Sequence, residues 1–235
     1  MRLAFRHRGR LTPRAAMRLQ QRLRTRIVAG VPPDLARLGA VAGLDVCYSA
    51  ATDRCYAAVV VMAFPSLEVI EERTAAMRSP FPYVPGLLSF REAPPLIAAL
   101  RRLRTLPGAL LLDAQGRAHP RRMGLASHIG LIYDHPSVGC AKTRLCGAFD
   151  APGPLRGDWS ALRDDITGGA GEIIGSVVRT RDWTAPVFVS VGHRCDDAFA
   201  RALVLACAPR YRLPEPIRRA HQLSNAMRRR CESTS

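Results

Sequence analysis

The chemistry that this chain could perform starts from a single lysine. Lys142 is the only lysine among 35 basic residues, so every other basic residue is arginine. Lysine presents a compact ammonium that can approach one oxygen atom and transfer a proton, whereas a guanidinium stays charged and forks over two atoms. We expect a chain that uses arginine elsewhere to retain lysine where arginine does not serve. The composition therefore predicts a catalytic role for Lys142, with chance retention as the alternative.

Two aspartates could place negative charge in the same site. Asp45 interrupts the apolar run 41–46, and Asp113 ends the apolar run 109–113. A carboxylate inside a buried strand is costly unless something compensates it, so each aspartate needs a partner. Mg²⁺ is a suitable partner because it takes oxygen ligands and keeps waters or phosphate oxygens in its shell. A hydrogen-bonded carboxylate at a strand end is the alternative for either aspartate alone.

The elements that would hold these side chains follow an α/β order. Residues 41–46, 56–64 and 67–74 are predicted strands separated by turns, which indicates an antiparallel meander of three strands. Pro94-Pro95 is predicted to open a helix that leads to the strand carrying the second aspartate. This order resembles that of ribonuclease-H-like nucleases, in which the first strand and the strand after the helix are neighbours. We therefore predict a mixed sheet of meander and parallel strands, flanked by helices, with both aspartates at one edge.

The rest of the chain continues the alternation of helices and strands. The predicted elements are a helix opened by His119-Pro120 and reaching Ile132, a strand at 137–141, a Gly/Pro-rich connector at 147–157, a strand at 186–191 and a helix around 199–207. There is no internal repeat, and the length of 235 residues is within reach of one hydrophobic core. We therefore interpret residues 1–235 as a single domain.

Basic charge is concentrated at the two ends of the chain. The net charge is +16, and residues 1–30 hold nine arginines and no acidic residue. We predict a basic N-terminal helix in this segment, capped by Thr12-Pro13, and a basic C-terminal tail at residues 217–235. Such ends favour contact with a polyanion. Nucleic acid is preferred to an anionic membrane because the predicted helix carries no Trp or Phe beside its leucines. A solvated basic helix is the alternative.

Cysteine usage and hydropathy bear on where the protein works. The seven cysteines are odd in number and include no C-x-x-C pair, which favours reduced thiols and excludes the usual zinc-binding patterns. The longest apolar run, residues 56–64, is far shorter than a membrane helix requires. The N-terminus has arginines but no apolar stretch typical of a secretory signal. We expect a cytoplasmic protein without a membrane partner and take a monomer as the default.

Several blocks of sequence are specific enough to compare with a known family. Residues 82–92 are PYVPGLLSFRE, residues 119–128 are HPRRMGLASH, and residues 139–145 are GCAKTRL. With Gly192-His193-Arg194 and the YRLPEP of residues 211–216, they resemble in type and order the blocks of endonuclease V, the repair nuclease of hypoxanthine in nucleic acid. Every specified position of the first block is matched. The resemblance covers most of the chain.

The resemblance implies a role for each matching residue. It assigns the acidic positions around Mg²⁺, which Mn²⁺ is expected to replace, to Asp45, Glu92 and Asp113. It assigns the catalytic lysine to Lys142 and a histidine needed for cleavage to His119. The residues implied to wedge into the duplex and surround the extruded base are Tyr83, Pro82, Pro85, Gly86, Leu88, Gly124 and Leu125. The family has the ribonuclease-H-like fold and cuts the second phosphodiester bond 3′ to the lesion, leaving 3′-hydroxyl and 5′-phosphate ends.

One departure from the family pattern lies beside the second acid. The family commonly has D-G-H-G where this chain has Asp113-Ala114-Gln115-Gly116. We expect activity to survive because the acid is retained, with altered lesion preference or efficiency. Deoxyinosine-containing DNA is the expected partner, and inosine-containing RNA remains open. The alternatives are another ribonuclease-H-like nuclease, such as a junction resolvase or an inosine-specific ribonuclease, and a non-catalytic nucleic-acid-binding protein.

Overall fold

Eight strands form one mixed sheet in the computed structural model, which describes residues 1, 3–5, 11–164 and 171–233. The strands are β1 (Ala40–Ser49), β2 (Arg54–Ala63), β3 (Val69–Arg78), β4 (Ala109–Leu112), β5 (Ser137–Ala141), β6 (Trp159–Arg163), β7 (Ile173–Val178) and β8 (Val187–His193). The helices are α1 (Pro13–Leu23), α2 (Leu88–Leu100), α3 (Leu125–Tyr133), α4 (Asp197–Ala206) and α5 (Glu215–Glu232). Residues 2, 6–10 and 234–235 of the predicted basic ends lie outside the described residues.

The strand order is β3-β2-β1-β4-β5-β8-β7-β6. Strands β1, β2 and β3 form the antiparallel meander, while β4 pairs in parallel with β1 and β5 pairs in parallel with β4. The remaining strands extend the sheet with antiparallel pairs. This topology confirms the predicted ribonuclease-H-like mixed sheet of meander and parallel strands.

Helices cover both faces of the sheet because its central strands are apolar on both sides. Successive side chains of a strand point to opposite faces. On β4, Leu110 and Leu112 pack with α2 and α3, whereas Leu111 packs with α4 and α5. Helix α1 is an outer layer, and its Leu19 and Leu23 join a separate apolar cluster with residues of α2 and of the loops around it. The core is therefore two layers divided by the sheet.

The prediction that Pro94-Pro95 opens a helix was wrong. Helix α2 begins at Leu88 and contains both prolines in its interior. An interior proline costs about 3 kcal/mol in local helix stability. Here burial outweighs that cost, because Phe90 and Leu96 pack into apolar clusters on either side of the prolines. The earlier start is what brings Glu92 into the helix.

The prediction that a helix begins at His119-Pro120 was also wrong. Helix α3 begins at Leu125, and residues 119–124 form turns. Arg122 has a φ of 55°, a left-handed conformation that a continuing α-helix cannot contain. The segment between β4 and α3 is thus a loop with a defined, non-helical backbone conformation.

Three elements were absent from the sequence-based prediction. Strands β6 and β7 follow the predicted connector and complete the far edge of the sheet. The C-terminal segment predicted as a basic tail contains most of α5, which packs lengthwise on β1 and β2. Its basic residues are therefore carried by a helix that is part of the core.

Candidate active site

Asp45, Asp113 and Lys142 converge because they lie at the level where β4 and β5 end, on three adjacent parallel strands. Leu44 of β1 lies opposite Leu112 of β4, so the aspartates that follow these leucines are neighbours. Lys142 directly follows β5, the next strand. Its ammonium contacts a carboxylate oxygen of Asp113. The strand alternation turns all three side chains towards the face covered by α5, which brings together the predicted acidic pair and the predicted lysine.

Helix α5 adds two side chains to the acidic pair. Ser224 Oγ donates a 2.6 Å hydrogen bond to Oδ2 of Asp45, and His221 Nδ1 lies 3.3 Å from the same oxygen. One ligand atom each from Asp45, Asp113 and His221 lie within 4.8 Å of one another. Among the described residues, this is the cluster of acids and histidines that could hold a metal ion.

A glycine in β1 allows α5 to approach this closely. A Cβ on Gly43 would lie 2.1 Å from the carbonyl of Pro216, so no other residue fits at this position without a shift of the backbone. Sequence reasoning missed His221 because the segment was interpreted as a tail. The buried residues of α5, which are Pro216, Ile217, Ala220 and Ser224, recur at helical spacing and could have revealed the helix.

Glu92 approaches the aspartates from α2. Burial raises the pKa of its carboxyl group to about 8, and the negative charges of Asp45 and Asp113 contribute further to the rise. Glu92 is not within the three-residue cluster, but its charge is coupled to both aspartates. Burial and these like charges together favour the neutral form of the Glu92 carboxyl group.

Lys142 compensates part of the negative charge of this site. Burial raises the pKa of the Asp113 carboxyl group, and the contact with Lys142 opposes this rise. The lysine backbone is itself held, because Arg212 Nη2 donates to the carbonyl of Lys142 at 2.8 Å and to that of Pro186 at 2.9 Å. Arg212 belongs to the YRLPEP block, so that block contributes an anchor for the lysine as well as the start of α5.

A cavity of about 340 Å³ opens beside Asp113. Its lining includes Asp113, His119 and Lys142, together with the predicted base-contacting residues Tyr83, Pro85, Gly86, Leu88, Gly124 and Leu125. Pro82 is the one predicted base-contacting residue outside the lining. Tyr83 is 68% exposed at the protein surface. The predicted wedge residue, most of the predicted base pocket and three of the predicted catalytic residues therefore share one cavity, whereas Asp45 and Glu92 do not line it.

His119 is buried in the wall of this cavity and its ring is engaged at both nitrogens. The backbone N–H of Arg121 donates to Nδ1 at 3.1 Å, which leaves the proton on Nε2 to donate to the carbonyl of Gly86 at 3.0 Å. Burial lowers the pKa of His119 to about 4, and the charge of Arg121 contributes. A neutral ring with both nitrogens occupied favours a positioning role over the proton shuttle or phosphate contact that the sequence left open.

The loop that departs from the family pattern, Asp113 to Gly116, packs and hydrogen-bonds with its neighbours. The side chain of Ala114 is buried in the apolar cluster under α2 and α3. Gln115 occupies the position of the family histidine, and its Nε2 donates to the carbonyl of Thr143 at 3.0 Å. The loop thus fastens the segment after Lys142.

The GHR block has a structural role outside this cavity. His193 Nε2 and the guanidinium of Arg194 both bond to Asp134, which ends α3 in a left-handed conformation. The other ring nitrogen of His193 accepts the backbone N–H of Val28 at 3.1 Å. The block therefore fastens the segment after α1 to the sheet.

The fold and the site define a class of protein. A ribonuclease-H-like sheet with paired carboxylates on β1 and directly after β4, and a lysine directly after β5, is the framework of a nuclease. The family model for Endonuclease V matches residues 21–222, and the chain belongs to that family. The predicted family membership is thus confirmed, and the protein is an enzyme of the deoxyribonuclease type.

Known relatives match along nearly the whole chain. The Endonuclease V of Roseiflexus sp. (strain RS-1) is 48% identical over 210 residues, which are 89% of this chain and 90% of the relative. The crystal structure of Endonuclease V from Streptomyces avermitilis has a TM-score of 0.87 and 42% identity, and covers 95% of both chains. Endonuclease V from Ciona intestinalis, solved with a 24mer DNA containing an inosine followed by a ribo-adenosine, has a TM-score of 0.78 and 25% identity over 91% of this chain and 96% of its own.

Proposed function

We propose that this protein is a Mg²⁺-dependent DNA-repair endonuclease that recognises deoxyinosine and hydrolyses the second phosphodiester bond 3′ to it. The products carry 3′-hydroxyl and 5′-phosphate ends. The observation that carries the proposal is the shared cavity, in which a base-sized pocket lies beside Asp113 and Lys142. A relative bound to inosine-containing DNA supports the same substrate.

The donor set at the acidic pair fits Mg²⁺, and Mn²⁺ as its substitute. Asp45 and Asp113 supply carboxylate oxygens, His221 supplies a nitrogen, and Glu92 lies close enough for its pKa to respond to both aspartates. A divalent cation bound among these carboxylates would offset their mutual repulsion. When bound, such an ion supplies Lewis-acid stabilisation of phosphate charge and makes water more acidic.

The chain's own residues supply the remaining electrostatics and positioning. Lys142 offers a fixed positive charge beside the scissile phosphate, since its backbone is held by Arg212 and its ammonium by Asp113. Ser224 orients the carboxylate of Asp45 by its hydrogen bond. His119 acts through Gly86, whose carbonyl it holds in the pocket wall.

Base recognition requires the nucleotide to leave the stack, which costs a few kcal/mol and less at a poorly paired lesion. Hypoxanthine lacks the exocyclic amine of guanine, so a close pocket walled by Gly86 and Gly124 discriminates by excluding that amine. Tyr83 stands exposed at the same cavity, held between the nearby prolines 82 and 85. We propose that its ring fills the gap left by the extruded base.

Replacing Tyr83 with alanine should weaken binding to deoxyinosine-containing DNA more than it slows the cleavage step. Aromatic stacking contributes ~1–3 kcal/mol per base, so lesion affinity should fall by about one to two orders of magnitude. Kd measured on inosine and undamaged duplexes, with single-turnover cleavage rates, separates the two effects. Trp183→Ala is the matched control, because Trp183 is 80% exposed and lies outside the cavity. Unchanged lesion affinity of the Tyr83 variant would remove the tyrosine from the site.

The arginines of α1 are proposed to contact the phosphate backbone. Arg14, Arg18 and Arg22 are exposed at successive turns of the helix, about 6 Å apart along its axis. None of the three has an acidic partner within the described residues. Helix α1 packs against the loops that wall the cavity. We therefore propose that the exposed face of α1 lies near DNA whose lesion base is bound in the cavity.

Changing Arg14, Arg18 and Arg22 together to glutamine should flatten the salt dependence of DNA binding. Each lost phosphate contact reduces the slope of log K against log salt by about 0.9. The matched control replaces Arg37, Arg101 and Arg104, which are exposed at the opposite end of the sheet, by glutamine. Titration between low and moderate salt should show the smaller slope for the α1 variant alone. Equal slopes for the two triple variants would contradict the proposal that the α1 arginines contact the phosphate backbone.

The proposal extends to the setting of the enzyme. We propose that the chain is a single endonuclease domain that acts as a monomer in the cytoplasm, where its seven free cysteines would stay reduced. None of the helices in the described part of the chain has the length and apolar character needed to cross a membrane.

Cleavage assays with three substrates distinguish this function from its alternatives. The purified protein would be incubated with Mg²⁺ and a duplex with one deoxyinosine, an RNA with one inosine, or a four-way junction. We expect the deoxyinosine duplex to be cut fastest. Exclusive cutting of RNA would indicate an inosine-specific ribonuclease, and exclusive cutting of the junction would indicate a resolvase. Binding without cutting of any substrate would indicate a non-catalytic protein.

A further inference from the structure

Gln20 is a buried polar residue on the inner face of α1. It is 1% exposed, whereas its neighbours on that face, Ala16, Leu19 and Leu23, form part of an apolar cluster. Burying an amide among apolar side chains costs free energy unless its donors and acceptor are all satisfied. This free-energy cost indicates that the hydrogen bonds of the amide serve a role that a leucine at position 20 could not fill.

The amide of Gln20 is bonded to both loops that wall the cavity. Its Nε2 donates to the carbonyl of Gly86 at 3.0 Å and to the carbonyl of Met123 at 2.9 Å. Its Oε1 accepts from Nε of Arg121 at 2.6 Å. Arg121 Nη2 also donates to the carbonyl of Gly86 at 2.7 Å, as does His119. Gln20 therefore joins the loop that carries Tyr83 to the loop that precedes α3.

We propose that Gln20 is a positioning residue that fixes the width of the base pocket and thereby determines the exclusion of guanine. This inference rests on the proposed function and identifies a specificity determinant for it. Gly86, Gln20 and Met123 all line the cavity, so a change in the Gln20 bonds moves the pocket wall directly.

The pocket wall at Gly86 is tightly held, and Gln20 is one of the residues that hold it. Gly86 adopts a left-handed φ of 74°, and a Cβ there would lie 2.6 Å from Nη2 of Arg121. Three donors converge on its one carbonyl oxygen, which holds the peptide in a single orientation. Hypoxanthine and guanine differ by one small amino group, so sub-ångström movement of this wall is enough to admit the larger base. The selectivity of the pocket should therefore depend on the donors of residue 20.

The test compares Gln20→Leu with Gln21→Leu. Leucine keeps roughly the volume of glutamine and removes its donors and acceptor, while Gln21 is the next residue on the helix and is exposed. Kd would be measured in EDTA for a duplex with one deoxyinosine and for the same duplex with deoxyguanosine, so that no cleavage step contributes. Selectivity is the Kd for the deoxyguanosine duplex divided by the Kd for the deoxyinosine duplex. This ratio should fall about tenfold or more in Gln20→Leu, because the hydrogen-bonding groups that Gln20 satisfied in the pocket wall lose their partner. It should stay within about twofold of wild type in Gln21→Leu.

Gln20→Glu provides a second variant in case the leucine variant does not fold. The carboxylate can still accept from Arg121 but cannot donate to the two carbonyls, so it should also lose selectivity. An unchanged Kd ratio in either folded variant would overturn the inference, as would a parallel loss of both affinities that tracks a lower melting temperature. A wild-type protein that does not prefer inosine would instead overturn the proposed function itself.

Discussion

Asp45→Ala and Asp113→Ala should each abolish nicking of deoxyinosine-containing DNA while leaving lesion binding largely intact. Each substitution removes a carboxylate oxygen from the cluster that fits Mg²⁺, whose charge stabilisation contributes several kcal/mol to the transition state. The rate should therefore fall by at least about 10³-fold. Binding persists because the predicted base-contacting residues are unchanged and the loss of negative charge reduces repulsion of phosphate.

Single-turnover cleavage in saturating Mg²⁺, with Kd measured in parallel, checks this expectation. Asp150→Ala is a suitable control, because Asp150 is exposed and lies outside the cavity. Cleavage at the wild-type rate by either active-site variant would remove that aspartate from the catalytic site. Loss of binding in step with loss of cleavage would indicate a structural role instead.

Lys142→Arg should be severely impaired although it keeps the positive charge. The guanidinium is larger and planar, so it does not fit where one ammonium contacts a single carboxylate oxygen of Asp113. It also cannot lose a proton at working pH, so it cannot take part in proton transfer. Correctly placed donors at a developing negative charge contribute ~3–4 kcal/mol, so the rate should drop roughly 10²–10³-fold.

Lys142→Met is the companion to that variant. If positive charge alone mattered, the arginine variant would cleave near the wild-type rate and only the methionine variant would be slow. We expect both to be slow, since position and proton chemistry matter as well as charge. Wild-type turnover by Lys142→Arg under saturating Mg²⁺ would falsify the catalytic assignment.

The central sheet could be predicted because its signals are local. A short apolar run, a valine-rich run and an alternating run, separated by turns, define β1, β2 and β3, and the apolar run before Asp113 defines β4. Once β1 and β4 are taken as parallel neighbours, the meeting of Asp45 and Asp113 follows from their register. Lys142 was singled out by composition alone, and the structure places its ammonium on Asp113.

The helix boundaries and the α5 residues depended on long-range contacts. Pro94-Pro95 is a strong local signal for a helix start, but the packing of Phe90 extends α2 towards the N-terminus. His221 reaches the acidic pair because Gly43 lets α5 approach β1, a contact between residues far apart in sequence. Local composition describes the same segment as merely basic.

Gln20 illustrates the same limit. In the sequence it is one of two adjacent glutamines on a basic helix, and nothing in its local pattern separates it from Gln21. The partners that distinguish it, Gly86, Met123 and Arg121, lie at least 66 positions away along the chain. Its role depends on how α1 docks over the cavity, which only the tertiary structure provides.

The most direct test of the whole account maps the cleavage position. A 5′-labelled duplex with one deoxyinosine would be incubated with the protein and Mg²⁺, and the product would be sized beside a sequence ladder. The account predicts one nick at the second phosphodiester bond 3′ to deoxyinosine, a product whose 3′-hydroxyl a polymerase can extend, and no product in EDTA. No nick, or equal nicking of the same duplex with deoxyguanosine in place of deoxyinosine, would contradict it.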